Sequence, residues 1–188
     1  MAVTDIRLSS ASNDWETPRW LFDLYDKIWN FRIDVAASDD NNQCPLYFTK
    51  EDNALSNSWC DMLKERDIKD DNPEHGETLT AWCNPPYGRK VGKWVEKCVL
   101  ESKHRNVGML IYARTDTSYF HELILPNAYE IHFIKGRLRF RNPAGVNGPA
   151  TAASMMVFFC NDTYRRPVFY SVEEFEEEPN LIGRGVWP

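Results

Sequence analysis

Two consecutive prolines sit directly behind an apolar run in TLTAWCNPPYG, residues 78–88, and they fix where one element must stop. Pro85 and Pro86 carry no backbone N–H, and each pushes the residue before it into extended geometry. Residues 78–84 therefore read as a buried strand that ends at Asn84. The stretch behind the prolines, GRKVGKWVEKCVLESKHR (88–105), places Val91, Trp94, Val95, Cys98 and Val99 on one helical face and lysines on the other.

The same alternation runs through the rest of the chain. WETPRWLFDLYDKIWN (15–30) reads as a helix with Thr17 as N-cap, Pro18 at the first helical position, and Leu21, Phe22, Tyr25, Ile28 and Trp29 at helical spacing. FRIDVAAS (31–38) and LYFT (46–49) read as short strands. Residues 60–78 are charged, with Pro73 and Gly76, and read as a short helix and an exposed loop. NVGMLIYAR (106–114) is a buried strand, and SYFHELIL (118–125) a helix ended by Pro126. AYEIHFIKGRLRF (128–140) is a strand leading into a basic loop, and TAASMMVFFC (151–160) a further buried strand.

Strands alternating with helices predict an α/β fold with a central, largely parallel sheet flanked by helices. Ligands in such sheets bind outside the carboxyl ends of the strands. Three loops leave those ends, 34–40, 84–90 and 114–117. The expected organisation is a flexible lead-in over 1–13, one domain over 14–165 and an acidic tail over 166–188 that contains EEFEEE.

Composition narrows the chemistry. The five cysteines form no C-x-x-C pair and the four histidines no H-x-x-x-H, so neither a disulfide framework nor a metal site is expected. No apolar run approaches the roughly 20 residues of a membrane span, and the N-terminus lacks a signal-peptide core, which predicts a soluble, cytoplasmic protein. Net charge is −6, yet residues 84–142 hold 11 of the 22 Lys+Arg and 5 of the 28 Asp+Glu. A basic middle between acidic ends can neutralise phosphates locally.

Asn84 and Pro85 at a strand's end present a carboxamide oxygen and backbone carbonyls, and the prolines hold those acceptors still. Tyr87 adds a flat face beside them. Such a site accepts hydrogen bonds from an exocyclic NH₂ while stacking the ring that carries it. Accepting those hydrogens concentrates electron density on a nitrogen that is otherwise a poor nucleophile. Cytosine C5 methylation would instead need a nucleophilic thiolate in a Pro-Cys pair, and the chain has none.

NPPY resembles the [D/N/S]-P-P-[Y/F/W] signature of S-adenosylmethionine-dependent amino-methyltransferases. DWETP, FRIDVAAS, YFTKEDNAL, WCNPPYG, ARTDTSYFH and IKGRLRF follow in the order seen in small phage-encoded Dam-like DNA N6-adenine methyltransferases. The resemblance covers about residues 14–160. It implies a Rossmann-like class I methyltransferase sheet and methyl transfer from S-adenosylmethionine to the N6 of a flipped adenine in double-stranded DNA. The site would be GATC by family likeness, the location the host cytoplasm, and the purpose protection from restriction.

Carried onto this chain, the resemblance gives Asn84, Pro85, Pro86 and Tyr87 the catalytic role. Trp15 and Thr17 match an element that touches the methionine part of the cofactor, although Thr17 equally suits a plain N-cap. Asp34 and Ala36 fall in the first cofactor loop, where Asp34 would face the cation directly or through backbone amides. Asp52 and Asn53 align with an acidic stretch near its ribose or adenine, and Asn84 also borders the cofactor. The class carries G-x-G in that first loop, whereas DVAASDD has alanines, which keep close approach but make positive φ costly. Arg114, Arg137, Arg139 and Arg141 are the expected DNA contacts, with specificity read by 60–78 and 136–150. Phe140 would pack the flipped base opposite Tyr87 or stand in the core. The sequence leaves two other readings open: glutamine methylation in a protein, and cofactor binding without catalysis.

Overall fold

The computed structural model describes residues 16–66, 71–72, 77–141, 147–161, 167–173 and 180–185. The expected lead-in over 1–13 and the cofactor contact expected of Trp15 lie outside the described residues.

The elements follow the chain as α1 (Arg19–Trp29), β1 (Phe31–Asp34), β2 (Leu46–Tyr47), α2 (Trp59–Glu65), β3 (Asp71–Asn72), β4 (Glu77–Thr78) and β5 (Thr80–Cys83). Next come α3 (Val91–Glu101), β6 (Val107–Tyr112), a π-helical turn (Phe120–Ile124), α4 (Leu125–Asn127) and β7 (Glu130–Ile134). The last are β8 (Arg139–Arg141), β9 (Asn147–Pro149), β10 (Ser154–Phe159), β11 (Val168–Glu173) and β12 (Asn180–Gly185). Eight strands form one sheet in the order β12-β11-β7-β10-β6-β5-β1-β2. The block from β2 to β6 is parallel, as the alternation of helix and strand requires. β10 returns antiparallel between β6 and β7, and β12 pairs antiparallel with β11 at the far edge. The α/β reading of the sequence holds.

Helices cover both faces, and the strands sort their side chains by period two. On β10, Met155, Val157 and Phe159 join the cluster under α2 and α3, while Met156 and Phe158 join the one under α1. α1 buries Leu21, Phe22 and Tyr25 against its face. Gly108 makes that packing possible, because a Cβ there would lie 2.7 Å from Phe31 Cζ. The Phe31 ring fills the missing side chain's place and stands edge-on to Trp82, centroids 5.2 Å apart.

Four expectations change. Thr17 does not cap α1: Pro18 takes that position with no side-chain cap, because the Thr17 hydroxyl is engaged elsewhere. Pro126 does not end its helix. Leu125 N–H reaches back to Phe120 O in a π-type turn, and Pro126 falls in the first turn of α4, where no N–H is needed. Within the expected basic loop at 136–149, residues 139–141 and 147–149 pair as the antiparallel strands β8 and β9. Finally, the boundary at 165 moves. β11 pairs with β7 and β12 with β11, so 168–173 and 180–185 extend the sheet instead of trailing from it. The apolar alternation of VFYSV outweighs the acidic composition around it.

Candidate active site

The chain steps outward from β1 to β2, then returns to the other side of β1 as β5 and β6. The loops after β1 and β5 therefore diverge, and a crevice opens between them at the carboxyl ends of the strands. It contains a cavity of about 630 Å³, a size typical of small-molecule sites. The cavity gathers Thr17, Asp34, Ala36, Asn53, Asn84, Pro85, Pro86 and Tyr87 from the residues singled out in the sequence.

The loop after β5 is held by stiffness and rings. Asn84 follows the last strand residue, and its Nδ2 donates to Thr17 Oγ1 at 3.1 Å. Pro85 is buried behind it. Tyr87 stacks on Tyr112 with centroids 4.3 Å apart and planes 10° from parallel, and stands edge-on to Phe140 at 5.9 Å. Burial pushes the Tyr87 phenol well above its usual range, so it remains protonated.

The loop after β1 is held by polar bonds. Asp34, 3% exposed, accepts Ala36 N–H on Oδ1 at 3.2 Å and Gln43 N–H on Oδ2 at 3.1 Å. Burial raises its carboxyl to about 7, against the lowering by those two N–H groups. Ser38 N–H donates to Asn41 Oδ1 at 2.7 Å and closes the turn. The glycine-free sequence meets no backbone strain here. Among the described non-glycine residues positive φ occurs only at Asn30 and Asn53, neither of them in this loop.

The lining suits a ligand that carries a positive charge and a polar ring. Asp34 offers a buried carboxyl. Gln43 Oε1, Trp82 Nε1 and Tyr87 Oη belong to lining residues and are buried with no hydrogen-bond partner among the described residues. Such groups carry a standing desolvation cost that a polar ligand relieves. Ala36 and Ala37 leave room beside them.

Other candidates fall elsewhere. Asp52 is absent from the lining. Its carboxylate pairs with Arg66 and accepts Thr49 N–H at 2.7 Å, so it fastens the turn that carries Asn53. Asn53 itself borders the cavity with φ 52°. Phe140 is 2% exposed and belongs to the core under α1, so it supports Tyr87 from behind and is no surface contact. Arg139 and Arg141 point outward on either side of it, and Arg114 and Arg137 are exposed too. Residues missed in the sequence include Tyr112, Gln43, Trp82 and Trp94. Tyr112 carried a usable signal, because the strand ending there is the natural parallel neighbour of the one ending at Asn84. Trp94 read only as helix core, and it also lines the cavity. Among the described residues no His, Cys, Asp or Glu group is placed to hold a metal, and no helix is long and apolar enough to cross a membrane.

The family model described as DNA N-6-adenine-methyltransferase (Dam) matches residues 6–177. The chain is 30% identical over 126 residues to the DNA N-6-adenine-methyltransferase of Escherichia phage T1, covering 66% of this chain and 45% of that protein. It is 28% identical over 134 residues to the protein of the same description from Haemophilus phage HP1, covering 68% and 66%. The putative methyltransferase YfdM of Escherichia coli K12 is 32% identical over 81 residues, 43% of this chain and 77% of that one. The match thus spans about half of the first phage protein and just under two-thirds of the second. The matched span contains the Asn84–Tyr87 loop, Asp34 and Thr17, and the chain belongs to the DNA N-6-adenine-methyltransferase (Dam) family.

Proposed function

We propose that this chain methylates the N6 of adenine in double-stranded DNA with S-adenosylmethionine as donor. The observation that carries the reading is the shared cavity in which Asn84-Pro85-Pro86-Tyr87 meets the Asp34 loop at the strands' carboxyl ends. When bound, S-adenosylmethionine supplies an electrophilic methyl group on a sulfonium. Asp34, Ala36, Gln43 and Asn53 are the residues that would hold it, with the Asp34 carboxylate offering the compensating charge.

The reactive amine is served by acceptors. The Asn84 carboxamide oxygen and the Pro85 carbonyl accept hydrogen bonds from its two N–H groups, which raises electron density on nitrogen without a covalent enzyme intermediate. Proline holds the carbonyl in place, so little reorganisation is needed during the reaction. An adenine inside a duplex cannot reach such a site. The base is therefore flipped out, at a cost on the order of a few kcal/mol, and meets Tyr87. Arg114, Arg137, Arg139 and Arg141, all exposed, contact the duplex. GATC is the first sequence to test.

The test incubates the protein with unmethylated DNA and S-adenosylmethionine, digests to nucleosides and quantifies methylated species by mass spectrometry. N6-methyladenine that disappears in Asn84→Ala is the expected result. N4-methylcytosine would overturn the base assignment, and no methylated nucleoside would overturn the reading.

A further inference from the structure

Residues 16 and 17 join two parts of the molecule that are far apart in sequence. Thr17 is 4% exposed, and its Oγ1 accepts Asn84 Nδ2 across 67 positions of chain. Glu16 pairs in antiparallel fashion with Arg141: Glu16 N–H donates to Arg141 O at 2.9 Å, and Arg141 N–H returns to Glu16 O at 3.4 Å. Glu16 thus makes a single antiparallel bridge to the end of β8, whose Arg139 and Arg141 are exposed. Phe140, between those arginines, sits edge-on to Tyr87. The basic hairpin is therefore linked to the NPPY loop twice, by a backbone pairing that ends in a hydrogen bond and by an aromatic contact.

We infer that Thr17 is a positioning residue for Asn84, and that its pairing through Glu16 makes the set of the Asn84 carboxamide depend on the basic hairpin. The inference rests on the methyl-transfer reading and deepens it. By family likeness Thr17 would be a contact to the cofactor. The geometry gives its hydroxyl a different task, holding the Nδ2 side of the carboxamide so that the oxygen is presented to the amine. A carboxamide turns about its χ2 with a broad, two-fold preference, so an anchor on one atom decides where the other points. A hairpin displaced by DNA carries residues 16 and 17 with it, and the Asn84 amide follows.

Thr17→Val keeps the shape and removes the hydroxyl, and Thr17→Ser restores it. At saturating DNA and S-adenosylmethionine, Thr17→Val is expected to lower kcat about ten- to a hundredfold, the scale of a misplaced catalytic group. Cofactor affinity, measured separately by equilibrium binding, is expected to stay within about twofold, since no full hydrogen bond to it is lost. Thr17→Ser recovers most of the rate. Glu16→Pro removes the N–H that holds Arg141 O and moves kcat in the same direction as Thr17→Val. In ¹⁵N spectra of the protein without DNA, the Asn84 side-chain amide pair shifts in Thr17→Val and returns in Thr17→Ser.

A raised cofactor dissociation constant with kcat intact would overturn the inference, leaving Thr17 a cofactor contact alone. So would a Ser variant as slow as the Val variant, or an Asn84 amide that does not move. A wild-type protein that methylates no DNA overturns the functional reading instead, and the amide resonance still decides whether Thr17 holds Asn84.

Discussion

The two loops that frame the cavity are built in opposite ways. After β1, a buried carboxyl gathers its own loop by accepting two backbone N–H groups, and the side-chain fastenings are polar bonds within a dozen residues. After β5, two prolines supply the stiffness, and contacts from remote parts of the chain supply the direction: Thr17, Tyr112 and Phe140. Polar loops of the first kind respond to charge and protonation. A proline-and-ring loop of the second kind does not titrate near neutrality and yields only to loss of packing. The difference suggests a division of labour, with ligand charge sensed on one side and reaction geometry fixed on the other.

The sharpest way to break that division is Asn84→Ala, expected to cost about 10²–10³ in kcat, as removal of one preorganised polar group does elsewhere. Cofactor binding by calorimetry should be intact; a variant that loses binding first would show that the loops share both tasks. Asp34→Asn acts on the other side. It should weaken cofactor affinity about tenfold or more at pH 8, where a buried charge pair is worth roughly a few kcal/mol, and leave kcat at saturation nearly unchanged.

The same residue gives a pH signature. With its folded value raised to about 7 and an unfolded value of about 3.9, Asp34 binds its proton more tightly in the folded state. Its contribution to stability is whole below the unfolded value and is lost as pH rises through about 7. Urea midpoints of wild type should therefore fall relative to Asp34→Asn between pH 5 and 8, while wild-type cofactor affinity rises over the same range as the carboxylate forms. A parallel pH course in the two proteins would remove Asp34 from both accounts.

Tyr112→Leu tests the ring support. Aromatic pairs add about 0.5–1.5 kcal/mol beyond their area, so a loss of at most about tenfold in kcat/KM for DNA is expected, measured with cofactor saturating. The smallest effect belongs to the hairpin. Replacing Arg137 and Arg139 together should weaken DNA binding and flatten the log K against log salt slope by about two. An unchanged slope would put the DNA face elsewhere.

Much of this was legible in the sequence because its strongest signals are local. Two prolines after TAWC can mean only an ended strand, and the small residues behind FRID mark a loop at the next strand's end. What was misread depends on partners distant in sequence. Thr17 looks like a cap until Asn84 is seen beside it, 67 residues on. Asp52 looks like a ligand-facing acid until Arg66 takes it. In sequence Phe140 suits a contact to the base and a place in the core alike, and the β8–β9 pairing decides for the core. The strand at 168–173 was hidden by its acidic neighbours, since composition reports charge and not register.

One consequence of the Asn84 loop concerns which bases it can refuse. Pro85 and Pro86 have no N–H to give, and Asn84 spends one of its two Nδ2 hydrogens on Thr17. The motif thus faces its ligand chiefly with acceptors. Adenine and cytosine answer acceptors with an amino group, whereas guanine O6 and thymine O4 are themselves acceptors and would be set lone pair against lone pair. Sites built to bond one pattern reject its inverse by large factors, because both sides are left unpaired. On the proposed reading, the acceptors of this loop would disfavour keto bases before any fit of ring shape is tried.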